Sequence, residues 1–249
     1  MLMKRTIQTI LLFLCVQACT QPIPNEAIVV SHELKTYNLV NLPEGINNFQ
    51  YKVYPENTII ASGVYQDISE AKNETVEELM ISRLSEQTVE WHLWNRDYED
   101  DEDNESVLEG YKKWLEKDFK FKLLSIMVYD YKNNEYAVAI MEMYIGDVKM
   151  PFINTKQCIK KNNQWYITES DPSSMNRFII GNKNIHPHSA YNIYNKNSQN
   201  EGERLLLAQS LNEKGELDFE KLSEALYMIQ EQAAENEDIR KILLIEDFE

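Results

Sequence analysis

Glu142 interrupts an apolar run, and Tyr136, Val138, Ile140 and Tyr144 share its parity. In a strand such alternate residues line one face. A carboxyl held among apolar neighbours has a raised pKa and can serve as a base. Acid–base chemistry needs a second polar group. His92, at the edge of a helical stripe upstream, can supply it. On an enzymatic or small-molecule-binding reading, Glu142 and His92 are the catalytic candidates, and Tyr136 and Tyr144 the ligand-binding ones. The plainer reading of Glu142 is a strand-end carboxylate that reaches water or pairs with a lysine.

Other reactive residue types carry less. The run Asp97 to Glu105 is rich in hard oxygen ligands, but its spacing fails the EF-hand pattern. Glu102 stands where glycine is needed and Leu108 where the closing glutamate belongs, so a solvated loop is the expectation. His186 and His188 would point the same way on an extended segment, yet no nearby cysteine or third histidine completes a metal set. Neither a metal site nor a cofactor is expected. Cys158 reads as a small core residue; as a nucleophile it would need an electropositive setting, hinted at only by Lys156 and Lys160. The seven glycines form no GxG, Walker or GxSxG pattern, which disfavours nucleotide cradles and nucleophile elbows.

The first residues say where the chain goes. Lys4 and Arg5 precede an apolar stretch, Ile10 to Val16, too short to span a bilayer. The stretch ends in Val16-Gln17-Ala18-Cys19, which resembles the lipobox of bacterial lipoproteins. That resemblance implies cleavage after residue 18 and acylation of Cys19. The chain would then sit in the bacterial envelope, lipid-anchored to a membrane and periplasmic or surface-facing. Removing residues 1–18, with their two bases and no acid, takes the formal charge from −16 to −18. Such a chain repels nucleic acid and anionic headgroups and leaves basic proteins, cations or neutral small molecules as partners. With Cys15 cleaved and Cys19 acylated, Cys158 has no partner for an intramolecular disulfide.

Residues 19–48 read as a tether and lead-in, broken by Pro22, Pro24 and Pro43, with one short apolar run at Ile28-Val29-Val30. Phe49 to Tyr54 alternates at strand period, and Ile59-Ile60-Ala61 adds a short element. Thr75 and Glu78 form a capping box for a helix expected to run to about Asn95. A second helix is expected over about 105–117. A four-strand antiparallel meander follows, turning at Asn133-Asn134, Gly146-Asp147 and Asn162-Asn163. Pro151 lacks a ladder donor and belongs at an edge, a bulge or a strand start.

Two helices, then a long meander ending in Lys160-Lys161-Asn162-Asn163-Gln164-Trp165-Tyr166-Ile167, resemble the nuclear transport factor two-like superfamily with its SnoaL-like domains. The resemblance covers about residues 66–170 and implies a curved sheet wrapped by helices into a cone with a pocket. The expected fold class is α+β, with a cone-like domain over residues 49–172. Residues 173–200 read as a connecting surface loop. Residues 201–249 read as a helical appendage whose stripe Leu222, Leu226, Ile229 and Ala233 packs on its own domain or on a partner.

The functional expectation is a membrane-anchored, non-enzymatic accessory or interaction lipoprotein. One version is an immunity-like protein that neutralises a basic toxin. The alternative is a small-molecule binder or SnoaL-like enzyme using the pocket. An open pocket with Glu142 and His92 converging would favour the enzyme. A pocket plugged by Trp91, Trp94 and methionines would favour interaction.

Overall fold

The computed structural model describes residues 35–36, 44–98, 104–169, 179, 183–233 and 235–244. Ile28 to Val30 and both Cys15 and Cys19 lie outside them. The fold is α+β, built on one antiparallel sheet. Its strands are β1 (Lys35–Thr36), β2 (Ile46–Val53), β3 (Ile59–Ala61), β4 (Phe119–Tyr131), β5 (Asn134–Ile145), β6 (Val148–Lys161) and β7 (Gln164–Ile167). They lie in the order β1-β2-β4-β5-β6-β7, with β3 paired to one end of β4.

The meander forms with two turns at the expected pairs and the first one residue earlier than expected, at Lys132-Asn133, so that Asn134 already begins β5. Lys132 and Asn133 both take positive φ, as do Asn162 and Asn163, which is the twist a two-residue hairpin needs. Gly146 alone takes positive φ in the third turn, where glycine at the first central position suits the chain reversal. Pro151 lies where the β5–β6 register shifts between Glu142 and Tyr144. β7 pairs β6 only over 158–161, so Pro151 also lies on an open edge of the sheet. A proline there costs no ladder bond.

The helix expected from Thr75 to Asn95 is two helices, α1 (Val76–Ser85) and α2 (Val89–Trp94). Thr75 and Glu78 form the capping box of α1. A second cap interrupts the helical stripe: the Thr88 hydroxyl accepts from the Trp91 N–H and starts α2 anew. Helical spacing alone did not separate the two, because the stripe continues across the break. α3 (Asn104–Leu115) follows with Leu108 buried.

The segment expected to be a surface loop, residues 173–200, instead contains α4 (Pro187–Tyr194), with Ala190 and Ile193 fully buried. Pro187 suits a first helical turn, where the missing N–H is not needed. Three more helices complete the chain: α5 (Glu201–Gln209), α6 (Phe219–Ala233) and α7 (Glu237–Ile242). α5 and α7 touch closely at Gly202, where a Cβ would lie 2.7 Å from the Asp238 carbonyl oxygen.

The sheet is covered on both faces. On one, Leu79, Met80 and Leu84 of α1 meet Phe121, Ile126, Ala139, Met141, Cys158 and Trp165. On the other, Phe49, Tyr51, Met127, Tyr129, Tyr136, Val138 and Ile140 meet the C-terminal helices through Ile193, Leu206, Leu222, Leu226 and Ile229. The stripe Leu222, Leu226, Ile229 and Ala233 thus packs on its own domain.

Trp165 and Leu222 anchor opposite layers, and both are buried. Trp165→Ala should lower unfolding free energy by about 3–5 kcal/mol and Leu222→Ala by about 2–5 kcal/mol. Urea denaturation followed by circular dichroism measures both. Loss in only one variant would mean the other layer contributes little to the folded state.

Candidate functional site

The sheet splits the candidate pair. Glu142 points to the face covered by the C-terminal helices, with Tyr136, Val138 and Ile140. His92 is on α2, beside α1 in the opposite layer. Each has found a different partner.

Glu142 closes a knot of ion pairs where β4, β5 and β6 run side by side. Its Oε2 lies 3.3 Å from Lys122 Nζ and its Oε1 3.1 Å from Lys149 Nζ. The Tyr144 hydroxyl donates to Oε2 at 2.9 Å. The raised pKa expected from an apolar setting is therefore corrected. Burial pushes the carboxyl up, but the Lys149 and Tyr144 hydrogen bonds and the two ammonium charges hold it below its ordinary range. Such a carboxylate is a poor base. Tyr136, the other ligand-binding candidate, stacks on Tyr129 with ring centroids 5.8 Å apart, as a core residue.

His92 is fully buried in a polar network that sequence reading missed, centred on Glu86. The Arg83 guanidinium donates to Glu86 Oε2, and His92 Nδ1 lies 2.8 Å from the same oxygen. The carboxylate accepts, so the imidazole proton sits on Nδ1. Asn95 donates to Oε1 at 2.8 Å, and Arg96 stands 3.8 Å from it. Ser82 donates to Asn95 Oδ1 at 2.7 Å and accepts from Trp91 Nε1 at 2.8 Å. Arg96 Nη1 donates to the His92 carbonyl at 2.8 Å. The one sequence signal was Arg83 and Glu86 at i and i+3, hidden because Glu86 seemed to lie inside a longer helix.

The remaining candidates fall apart as sites. Among the described residues no three His, Cys, Asp or Glu side chains are grouped to hold a metal. His186 and His188 stand at the start of α4, not on an extended segment, with rings stacked at 5.6 Å. Burial, then the neighbouring His188, pushes His186 below its ordinary pKa. Cys158 is buried and free, and burial pushes its thiol up to about 12, far from a nucleophile's range. In the acidic run, Asp97 pairs with Lys161 at 3.0 Å, while 99–103 lie outside the described residues.

No family model, curated protein or solved structure matches this chain. Its functional reading therefore rests on its own residues.

Two predictions follow from the charged clusters. Glu86→Ala leaves Arg83 buried without its carboxylate and should cost about 3–5 kcal/mol in urea denaturation; a loss under 1 kcal/mol would remove Glu86 from the centre of the network. Glu142 has an ordinary value of 4.5, and its folded carboxyl titrates lower. Its stabilisation is complete above that value and is lost as pH falls through the folded pKa. The urea midpoints of wild type and Glu142→Gln should differ at pH 6 and converge toward pH 3. A constant gap would show that the carboxylate's charge contributes nothing.

Proposed function

We propose that this chain is a lipid-anchored accessory protein of the bacterial envelope that acts by binding a partner, in the manner of an immunity protein, and not by catalysis. The anchor reading rests on Lys4 and Arg5, the short apolar stretch and Val16-Gln17-Ala18-Cys19. A chain with formal charge −16 favours a basic partner.

The observation that carries the non-catalytic half is the position of the C-terminal helices. A cone-shaped pocket would use the face bearing Tyr136, Val138 and Ile140. That face instead meets Ile193, Leu222, Leu226 and Ile229 of the same chain. The filling comes from these helices, not from Trp91, Trp94 and methionines. Glu142 and His92, bound to separate partners in separate layers, offer no shared reaction centre. Among the described residues no helix is long and apolar enough to cross a membrane, so the anchor would supply the attachment.

Cys19→Ala should abolish labelling by a palmitate analogue and move the protein from the membrane to the soluble fraction. Undiminished labelling would refute the anchor.

A further inference from the structure

α6 has two faces, and the fold uses one of them. Leu222, Leu226, Ile229 and Ala233 pack into the layer against the sheet. On the opposite side of the helix, Glu220, Glu224, Tyr227 and Met228 recur at helical spacing as a second strip. With Ser223 they line one shallow surface depression. Tyr227 is 80 % exposed, the most of any large apolar side chain among the described residues, and Met228 beside it is 64 % exposed. Isolated exposed apolar residues are ordinary. Two in succession, opposite the core stripe and bordering one depression, make a contiguous patch whose burial would stabilise a complex and not the fold. Tyrosine and methionine are also residue types that interfaces enrich.

The charge of the strip selects its occupant. Glu220 and Glu224 stand one turn apart in the depression, and no lysine or arginine lines it. Lys221, the flanking base, turns its ammonium to the Leu211 carbonyl at 3.1 Å. The face of the Tyr227 ring is itself a seat for a guanidinium or an ammonium. Carboxylates and ring both call for a cation, and the exposed methionine calls for an apolar residue next to it. A second copy of the chain fits badly, because it would bring the same carboxylates and a formal charge of −16 against their like. Anionic headgroups are repelled for the same reason.

We propose that the outer face of α6 is the docking surface for a basic segment of a partner protein. An arginine or lysine of that segment sits between Glu220, Glu224 and the Tyr227 ring, and an adjoining apolar side chain packs on Met228. The flexible thioether adapts to the shape of that side chain. This inference rests on the partner-binding reading and names the surface and the chemistry that reading would use.

The test uses the full chain with isotope-labelled methionine methyls, and an amphipathic peptide whose leucine stripe is flanked by arginines. Calorimetry reports binding anywhere on the chain, and the Met228 methyl signal reports binding at α6. The peptide should bind with heat and shift Met228 saturably, leaving the buried Met80 and Met141 methyls in place. Tyr227→Ser should weaken binding at least about tenfold, as truncation of an aromatic anchor does. It should leave the melting temperature unchanged, because the ring lies outside the core. Glu224→Lys should also weaken binding. Glu90→Lys makes the same change in net charge at an exposed position of α2, in the opposite layer, and should bind as wild type does at physiological salt. The peptide with glutamates in place of its arginines should not bind. Heat without a Met228 shift, or equal weakening by Glu90→Lys, would overturn the α6 surface and leave the basic-partner reading standing. No heat with the arginine peptide would overturn both. A Met228 shift on raising the protein concentration alone would assign the face to a second copy and overturn the proposal.

Discussion

β5 is buried on both faces, and the rest of the molecule is arranged to satisfy that. Every residue from Tyr136 to Met143 is out of solvent. Alternate residues point to opposite faces, so the strand needs two separate covering layers. Ala137, Ala139, Met141 and Met143 are met by α1 and its surroundings. Tyr136, Val138 and Ile140 are met by the C-terminal helices. Removing either layer would leave a contiguous apolar surface in water. The C-terminal helices are therefore part of the fold, although they lie outside the resembling segment.

The two layers manage buried charge differently. On the α1 side, one carboxylate gathers several donors from three short segments, which fixes where α1 ends and how α2 sits against it. Such a network stabilises only when its members are satisfied, because buried charge is costly to leave unpaired. On the other side, Glu142 is itself buried but is held by two partly exposed lysines, whose contact with solvent lowers the cost. The same residue types thus give an interior fastening in one layer and a strand-end clamp in the other.

Further fastenings tie loops to the sheet. Asn73 is buried and donates to the Trp165 carbonyl at 3.0 Å, while the Trp165 N–H donates to the Asn73 carbonyl at 2.7 Å. Glu77 of α1 takes Lys52 and the Tyr54 hydroxyl, the latter at 2.5 Å, joining the helix to the end of β2. The chain between β7 and α2 is also paired, since the Ile167 N–H donates to the Asn95 carbonyl at 2.8 Å. These contacts span long sequence separations and leave no periodic trace.

The sequence by itself determined what local chemistry controls. The meander was legible because period-two alternation and turn residues able to take positive φ are local properties; the turns at 146–147 and 162–163 formed where expected and the first one residue early, at 132–133. The capping box at Thr75 and the helical stripe of α6 were legible for the same reason. Only the tertiary structure decided which face each layer covered. It broke one expected helix at Thr88 and made a helix of Pro187 to Tyr194 in an expected loop. It also gave His92 to Glu86 and not to Glu142. The pairing of side chains across a sheet depends on which elements meet in space, so packing and not local sequence chose the neighbours of Glu86 and Glu142.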